Sequence, residues 1–110
     1  MRDVGVGVNQ IPSISDFTSS KAQPGWTKLP SGILFQWGVS TYNGSDGVNG
    51  TTSSFPIAFP NGCLCMSGSD VGGGAQTVAF SPISKSQFLH WGQVNGNLVT
   101  TISWFLAVGY

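Results

Sequence analysis

The chain has 110 residues, four Lys or Arg, four Asp, no Glu and a formal net charge of zero. Charged residues are 7% of the total, against about 25% in an ordinary globular domain, while 40% are hydrophobic and 12% aromatic. This balance excludes a basic phosphate-binding patch, and so nucleic acid as a partner; it argues against disorder, and no apolar run approaches the roughly 18 to 20 residues of a spanning helix.

A small neutral monomer with so few charges is poorly protected against association. The composition therefore points to one domain of a tightly built, multi-chain β protein. Residues 1–24 read as a thin extended stalk. Val4, Val6 and Val8 alternate, and polar Thr18 to Gln23 follow, with Pro24-Gly25 as the boundary. Met1 to Gly5 lacks the apolar centre of a signal peptide, so synthesis in the cytoplasm is expected.

Residues 25–110 form the expected domain. Trp26 to Leu29 is the first arm of a hairpin, Pro30-Ser31-Gly32 its turn, and 33–42 its long second strand. There Ile33, Phe35, Trp37 and Val39 share one strongly apolar face. Further strands are expected at 55–59, 63–67, 76–81, 86–91 and 98–109. Pro56, Pro60 and Pro82 mark edges or strand ends. Polar, glycine-rich connections fall at 43–54, 67–75 and 92–97. No window sustains a helical period. The fold class is therefore all-β, an antiparallel β-sandwich.

The last strand runs to the C-terminus. Leu98, Ile102, Trp104, Leu106, Val108 and Tyr110 alternate onto one face. That face is expected to be buried in the core or in a subunit interface.

Three segments resemble one known family. Gly25-Trp26-Thr27-Lys28-Leu29-Pro30-Ser31-Gly32-Ile33-Leu34-Phe35-Gln36-Trp37-Gly38 resembles the opening of the C-terminal head domain of bacteriophage and prophage tail fibres. Phe55 to Asn61 and the closing Ser103 to Tyr110 resemble that family's later hallmarks, in the same order. The resemblance implies a β-sandwich head, a homotrimer about the fibre axis, located at the tip of a virion tail fibre or phage-tail-like particle. It implies contact with the bacterial surface, through a glycan or another outer-membrane component. The family's motifs are structural and transfer no binding site. Phe55 and Phe59 are read as anchors, and Trp37 as a core residue whose N–H needs a partner.

The chemistry-bearing residues are few. Asp46 and Asp70 are the carboxylates that could meet as a pair, but loop aspartates are normally turn formers, so no catalytic residues are assigned. His90 is expected to be a half-exposed strand residue. Cys63 and Cys65 are read as small buried apolar residues, and 43–49 lacks the acidic ligands of a calcium loop. No metal or cofactor is expected. Recognition is expected in the loops, with Tyr42, Asn43, Asp46, Asn49, Trp91 and Asn95 as candidates. Aromatic faces beside short amides suit sugars, whose C–H faces are apolar and whose hydroxyls are polar. The alternatives are a structural trimerisation or cap module without receptor contact, and a small lectin-like binding domain.

Overall fold

The computed structural model describes residues 4–11, 13 and 17–110. These contain β1 (Ser19–Ser20), β2 (Gly25–Lys28), β3 (Leu34–Tyr42), β4 (Thr51–Ser54), β5 (Cys63–Asp70), β6 (Thr77–Pro82), β7 (Gln87–Val94), β8 (Asn97–Leu98) and β9 (Thr101–Gly109). One sheet has the order β1-β2-β3-β9-β5 and the other β4-β7-β6, with β8 paired to β7. All these pairings are antiparallel. The fold is the expected all-β sandwich. The last strand is central, because β9 pairs along its whole length with β3 and on its other side with β5.

The core lies between the sheets. It consists of Leu34, Phe105 and Ala107 from the first sheet, Phe88 from the second, and Phe55 and Phe59 from the chain linking β4 to β5. The rings of Phe55 and Phe59 lie 4.9 Å apart, those of Phe55 and Phe88 5.0 Å, and those of Phe88 and Phe105 4.9 Å. Such aromatic pairs add about 0.5–1.5 kcal/mol each beyond their buried area. The anchor role of Phe55 and Phe59 holds, but 55–59 is not a strand. Its backbone is tied instead by Phe55 N–H to the Ser86 carbonyl (2.9 Å) and Phe59 N–H to the Lys85 carbonyl (2.8 Å).

The hairpin of residues 26–42 forms as expected, with Trp26 opposite Gln36 and the Leu29 and Ile33 backbones closing the turn. The loop expected at 43–54 ends in a strand, since Thr51–Ser54 pairs with β7. Strand β5 runs to Asp70 and β7 to Val94, past their expected ends. The 92–97 connection reduces to the two-residue turn Asn95-Gly96. Both residues have positive φ, 51° and 83°, as a type I′ hairpin turn requires. In the expected stalk, 4–11 turns back on itself, with Gly5 N–H donating to the Ile11 carbonyl, and Ser19–Ser20 already belongs to the first sheet. Asp3 and Asp16 lie outside the described residues.

The main correction concerns which face of β3 and β9 points inward. Inside the sandwich stand Leu34, Gln36, Gly38, Ser40 and Tyr42 from β3, and Thr101, Ser103, Phe105, Ala107 and Gly109 from β9. The even-numbered apolar residues of β9 face outward. Ile102 is 47% exposed, Trp104 51% and Leu106 43%. Phe35, Trp37 and Val39 stand on the same outer face, opposite Val108, Leu106 and Trp104. Trp37 is therefore not a core residue of the single chain, and its indole N–H donates to the Ala22 carbonyl at 3.0 Å.

The inward face is partly polar because partners distant in the same chain satisfy it. The Gln36 side chain donates to the Ile57 carbonyl and accepts from the Ile57 N–H, both at 2.9 Å. This pair behaves as one more rung of a ladder and offsets the cost of burying an amide. His90 is fully buried rather than half-exposed. Its Nδ1 lies 3.1 Å from Ser40 Oγ, and Phe80 stacks on its ring at 4.6 Å. Cys65 is exposed and Cys63 half-buried, so the expectation of two buried cysteines is corrected. Burial pushes the Cys63 thiol up.

Candidate functional site at the loop end

The strand register separates two ends of the sandwich. At one end lie the Leu29–Ile33 turn and the C-terminus, where Tyr110 exchanges backbone hydrogen bonds with Gly62. The N-terminal chain leaves toward this end, because Lys28 N–H bonds to the Thr18 carbonyl and β1 runs antiparallel to β2. At the other end lie Tyr42, Thr101 and the loops at 43–50, 71–76 and 99–100. Val71 N–H reaches the Ile102 carbonyl (3.1 Å), and Gly44 N–H reaches Thr100 Oγ1 (3.0 Å). The loops singled out from sequence therefore gather away from the point where the N-terminal chain departs.

The 43–50 loop is built by its own polar side chains. Asn43 accepts from the Ser45 N–H (3.1 Å) and opens the 3₁₀ segment Gly44–Asn49, which kinks at Gly47. Asp46 accepts from Thr51 Oγ1 at 2.6 Å, and Thr51 Oγ1 accepts from the Asn43 N–H at 2.8 Å. The loop is thus a closed hydrogen-bonded unit rather than a loose strap. Asp70 plays the same part in the next loop, accepting from the Gly72 and Gln76 N–H groups at 3.3 and 3.1 Å. Gln76 in turn accepts from Thr101. Both aspartates are turn formers.

The six sequence-derived candidates divide. Tyr42 is fully buried and its hydroxyl donates to the Gly47 carbonyl at 2.7 Å. Its ring supports the loop from below, so the expectation that it offers an aromatic face to a ligand is corrected. Asn43, Asp46 and Asn49 lie along the loop, with the first two engaged in its internal bonds. Asn95 is exposed in the type I′ turn.

Trp91 is half-exposed on the outer face of the second sheet. Its indole N–H donates to the Val48 carbonyl at 3.0 Å. Its ring packs over Gly50, where a Cβ would come within 2.7 Å of the indole and where φ is +76°, a conformation that favours glycine. Trp91 therefore joins the 43–50 loop to the β7 platform.

Beside Trp91 is a cavity of about 220 Å³, lined by Thr77, Val78, Ala79, Trp91, Gly92, Gln93 and Leu98. Sequence reading missed Thr77, Ala79 and Leu98. Only the pairing of Ala79 with Trp91 and of Gln93 with Leu98 brings them together, and nothing in the sequence states that register. Among the described residues, no three His, Cys, Asp or Glu side chains group to hold a metal ion. His90 stands inside the sandwich, away from this surface. Burial lowers its pKa from 6.5 to about 4, and its Nε2, like Ser103 Oγ, has no hydrogen-bond partner among the described residues.

Comparison with known proteins agrees with this architecture. A C-terminal fragment of the R2 pyocin fibre of P. aeruginosa superposes with a TM-score of 0.68 at 21% identity, over 84% of this chain and 25% of that one. An N-truncated R1-type pyocin tail fibre superposes with a TM-score of 0.60 at 27% identity, over 84% of both chains. The uncharacterized protein MJ0347 of Methanocaldococcus jannaschii is 33% identical over 60 residues, 54% of this chain and 40% of its own length. This chain thus spans a minor part of the R2 fragment and of the archaeal protein. The sequence model of the gp53-like tail fiber protein C-terminal family matches residues 28–110, from the hairpin through the closing strand. The chain belongs to that family and carries its C-terminal tail fibre domain.

Proposed function

We propose that this domain is the non-enzymatic tip of a phage-type tail fibre, assembled as a homotrimer, that attaches the particle to a glycan or other outer-membrane component of a bacterium. Its place is the tail fibre of a virion or phage-tail-like particle. The observation that carries the reading is the division of the outer surface. The β3-β9 face presents Phe35, Trp37, Val39, Ile102, Trp104, Leu106 and Val108 in adjacent positions. Contiguous apolar patches of this kind mark interaction sites, and a second and third copy of the chain are the occupants a fibre axis supplies. The loops at 43–50 and 71–76 lie at the end away from the departing N-terminal chain, which suits contact with a target surface. Asp46 and Asp70 are both consumed in loop bonds, which favours binding over general acid–base chemistry.

The test is adsorption. Labelled protein is incubated with a panel of bacterial strains and with their extracted surface glycans, and its mass is measured by light scattering. Strain-selective, saturable binding by a species of three chains is expected. A trimer that binds no strain would instead make the domain a structural cap.

A further inference from the structure

We infer that the cavity beside Trp91 takes one pyranose ring of a neutral surface glycan, its C–H face against Trp91 and Leu98 and its hydroxyls toward Thr77 and Gln93. The inference rests on the proposed receptor-binding role and names the ligand class and the subsite.

Four observations carry it. First, the platform is rigid before any ligand arrives. The Val48 carbonyl holds the indole N–H and the ring packs on Gly50, so little side-chain freedom is lost on binding. Second, the space is built into the sheet. Ala79 sits directly opposite Trp91 in the ladder, and its single methyl leaves room that a larger residue would fill. Third, the cavity of about 220 Å³ is smaller than the roughly 300–1,000 Å³ of sites for drug-sized ligands, which suits one ring rather than a longer stretch of chain. Fourth, its lining is mostly apolar and carries no charged residue. The exposed Thr77 hydroxyl and Gln93 amide have no hydrogen-bond partner among the described residues. Uncharged donors and acceptors beside an aromatic wall fit a neutral sugar better than an acidic one.

The experiment is a two-dimensional NMR titration of the full chain, in its native assembly, with the methyl pyranosides of glucose, galactose, mannose and N-acetylglucosamine. At least one should shift the Trp91 indole, Ala79 and Gln93 side-chain amide signals saturably. Ala79→Leu, which fills the cavity from an exposed strand position, should weaken that binding by about tenfold or more, and Gln93→Ala by several-fold. Shifts that spare these residues, no shift with any pyranoside, or an unchanged affinity in Ala79→Leu would each overturn the inference. So would capture of an apolar peptide at these residues where all the pyranosides fail.

Cell adsorption, run in parallel, separates this inference from the broader reading. If Ala79→Leu binds cells as well as the parent chain does, the cavity is not the receptor subsite while the attachment role stands. If the parent chain binds no strain but the pyranoside shifts persist, the attachment role falls and the sugar site remains.

Discussion

The two outer faces of the sandwich are made from the same period-two alternation and have opposite characters. The outer face of β3 and β9 presents Phe35, Trp37, Val39, Trp104, Leu106 and Val108. The outer face of β4, β7 and β6 presents Thr52, Ser54, Gln87, Leu89, Trp91, Gln93, Thr77, Ala79 and Ser81, polar or small except for one leucine and one pinned tryptophan. An antiparallel sheet with one wet face is ordinary. A sheet whose outer face is more continuously apolar than parts of its inner face is built to be covered again. On the proposed function, the first face serves assembly and the second meets solvent and ligand.

The largest effect comes from removing what both faces share. Deleting Phe105 to Tyr110 takes Phe105 and Ala107 from the core and parts β3 from β5, since β9 lies between them. Large buried apolar side chains contribute about 1.5–3 kcal/mol each, and open strand edges promote aggregation. The expected product is aggregated or unassembled, and a cooperative thermal melt from a soluble trimer would show the strand to be peripheral.

Charging the apolar face alone gives the sharper contrast. Trp104→Asp with Leu106→Asp leaves the inward residues untouched. The mass in light scattering is expected to fall to that of a single 11.5 kDa chain. An unchanged trimer would place the interface elsewhere.

Acid probes the layer between the faces. His90 has its pKa lowered from 6.5 to about 4 by burial, so the fold favours the neutral ring. The unfolded chain takes up the proton first, and stability is full above about pH 6.5 and falls as pH drops toward 4. The loss is of order 3 kcal/mol at most. Urea midpoints at pH 7, 5 and 4 should follow this trend, and His90→Phe should flatten it.

A smaller structural effect is expected at the loop end. Replacing Asn43 to Asn49 with a Gly-Ser linker removes the Asn43 and Asp46 side chains that shape the loop, so the backbone carbonyls at 47 and 48 are no longer held where Tyr42 and Trp91 use them. The cost is about 1–3 kcal/mol through the buried tyrosine hydroxyl, seen as a lower Tm with assembly kept. Cell adsorption is expected to fall sharply. Unchanged adsorption would move the recognition surface to other residues.

The smallest effect completes the comparison. Thr52→Asp with Gln87→Glu puts two charges on the outer face of the second sheet. Stability should change by less than about 0.5 kcal/mol, with the mass unchanged. A loss of trimer from this pair, and not from the Trp104 and Leu106 pair, would reverse the assignment of the two faces.

Much of the fold is legible in the amino-acid sequence alone. The alternation in 33–42 and from 102 onward determines two long strands, although Leu98, read into the last strand, belongs to β8 of the other sheet, and Pro30-Ser31-Gly32 determines the turn of the first hairpin. Glycine, proline and β-branched residues throughout exclude long helices. The candidate site is legible in part: the loop at 43–49 and Trp91 do meet, through the Val48 carbonyl. The rest of the cavity is not, because nothing in the local sequence pattern sets Thr77, Ala79 and Leu98 apart from other strand residues. They matter only through their register beside Trp91 and Gln93.

What tertiary structure alone decided was the direction of each face. Alternation divides a strand's residues into two sets without stating which set meets the other sheet. Hydrophobicity points to the even-numbered set of β9, yet the odd-numbered set is inside. The inward choice is possible because distant partners satisfy its polar members: Gln36 with the Ile57 backbone 21 residues away, and Ser40 with His90 50 residues away. Those pairings exist only once the two sheets have closed on each other, so the sequence determines the strands locally and their orientation emerges only with the packed sandwich.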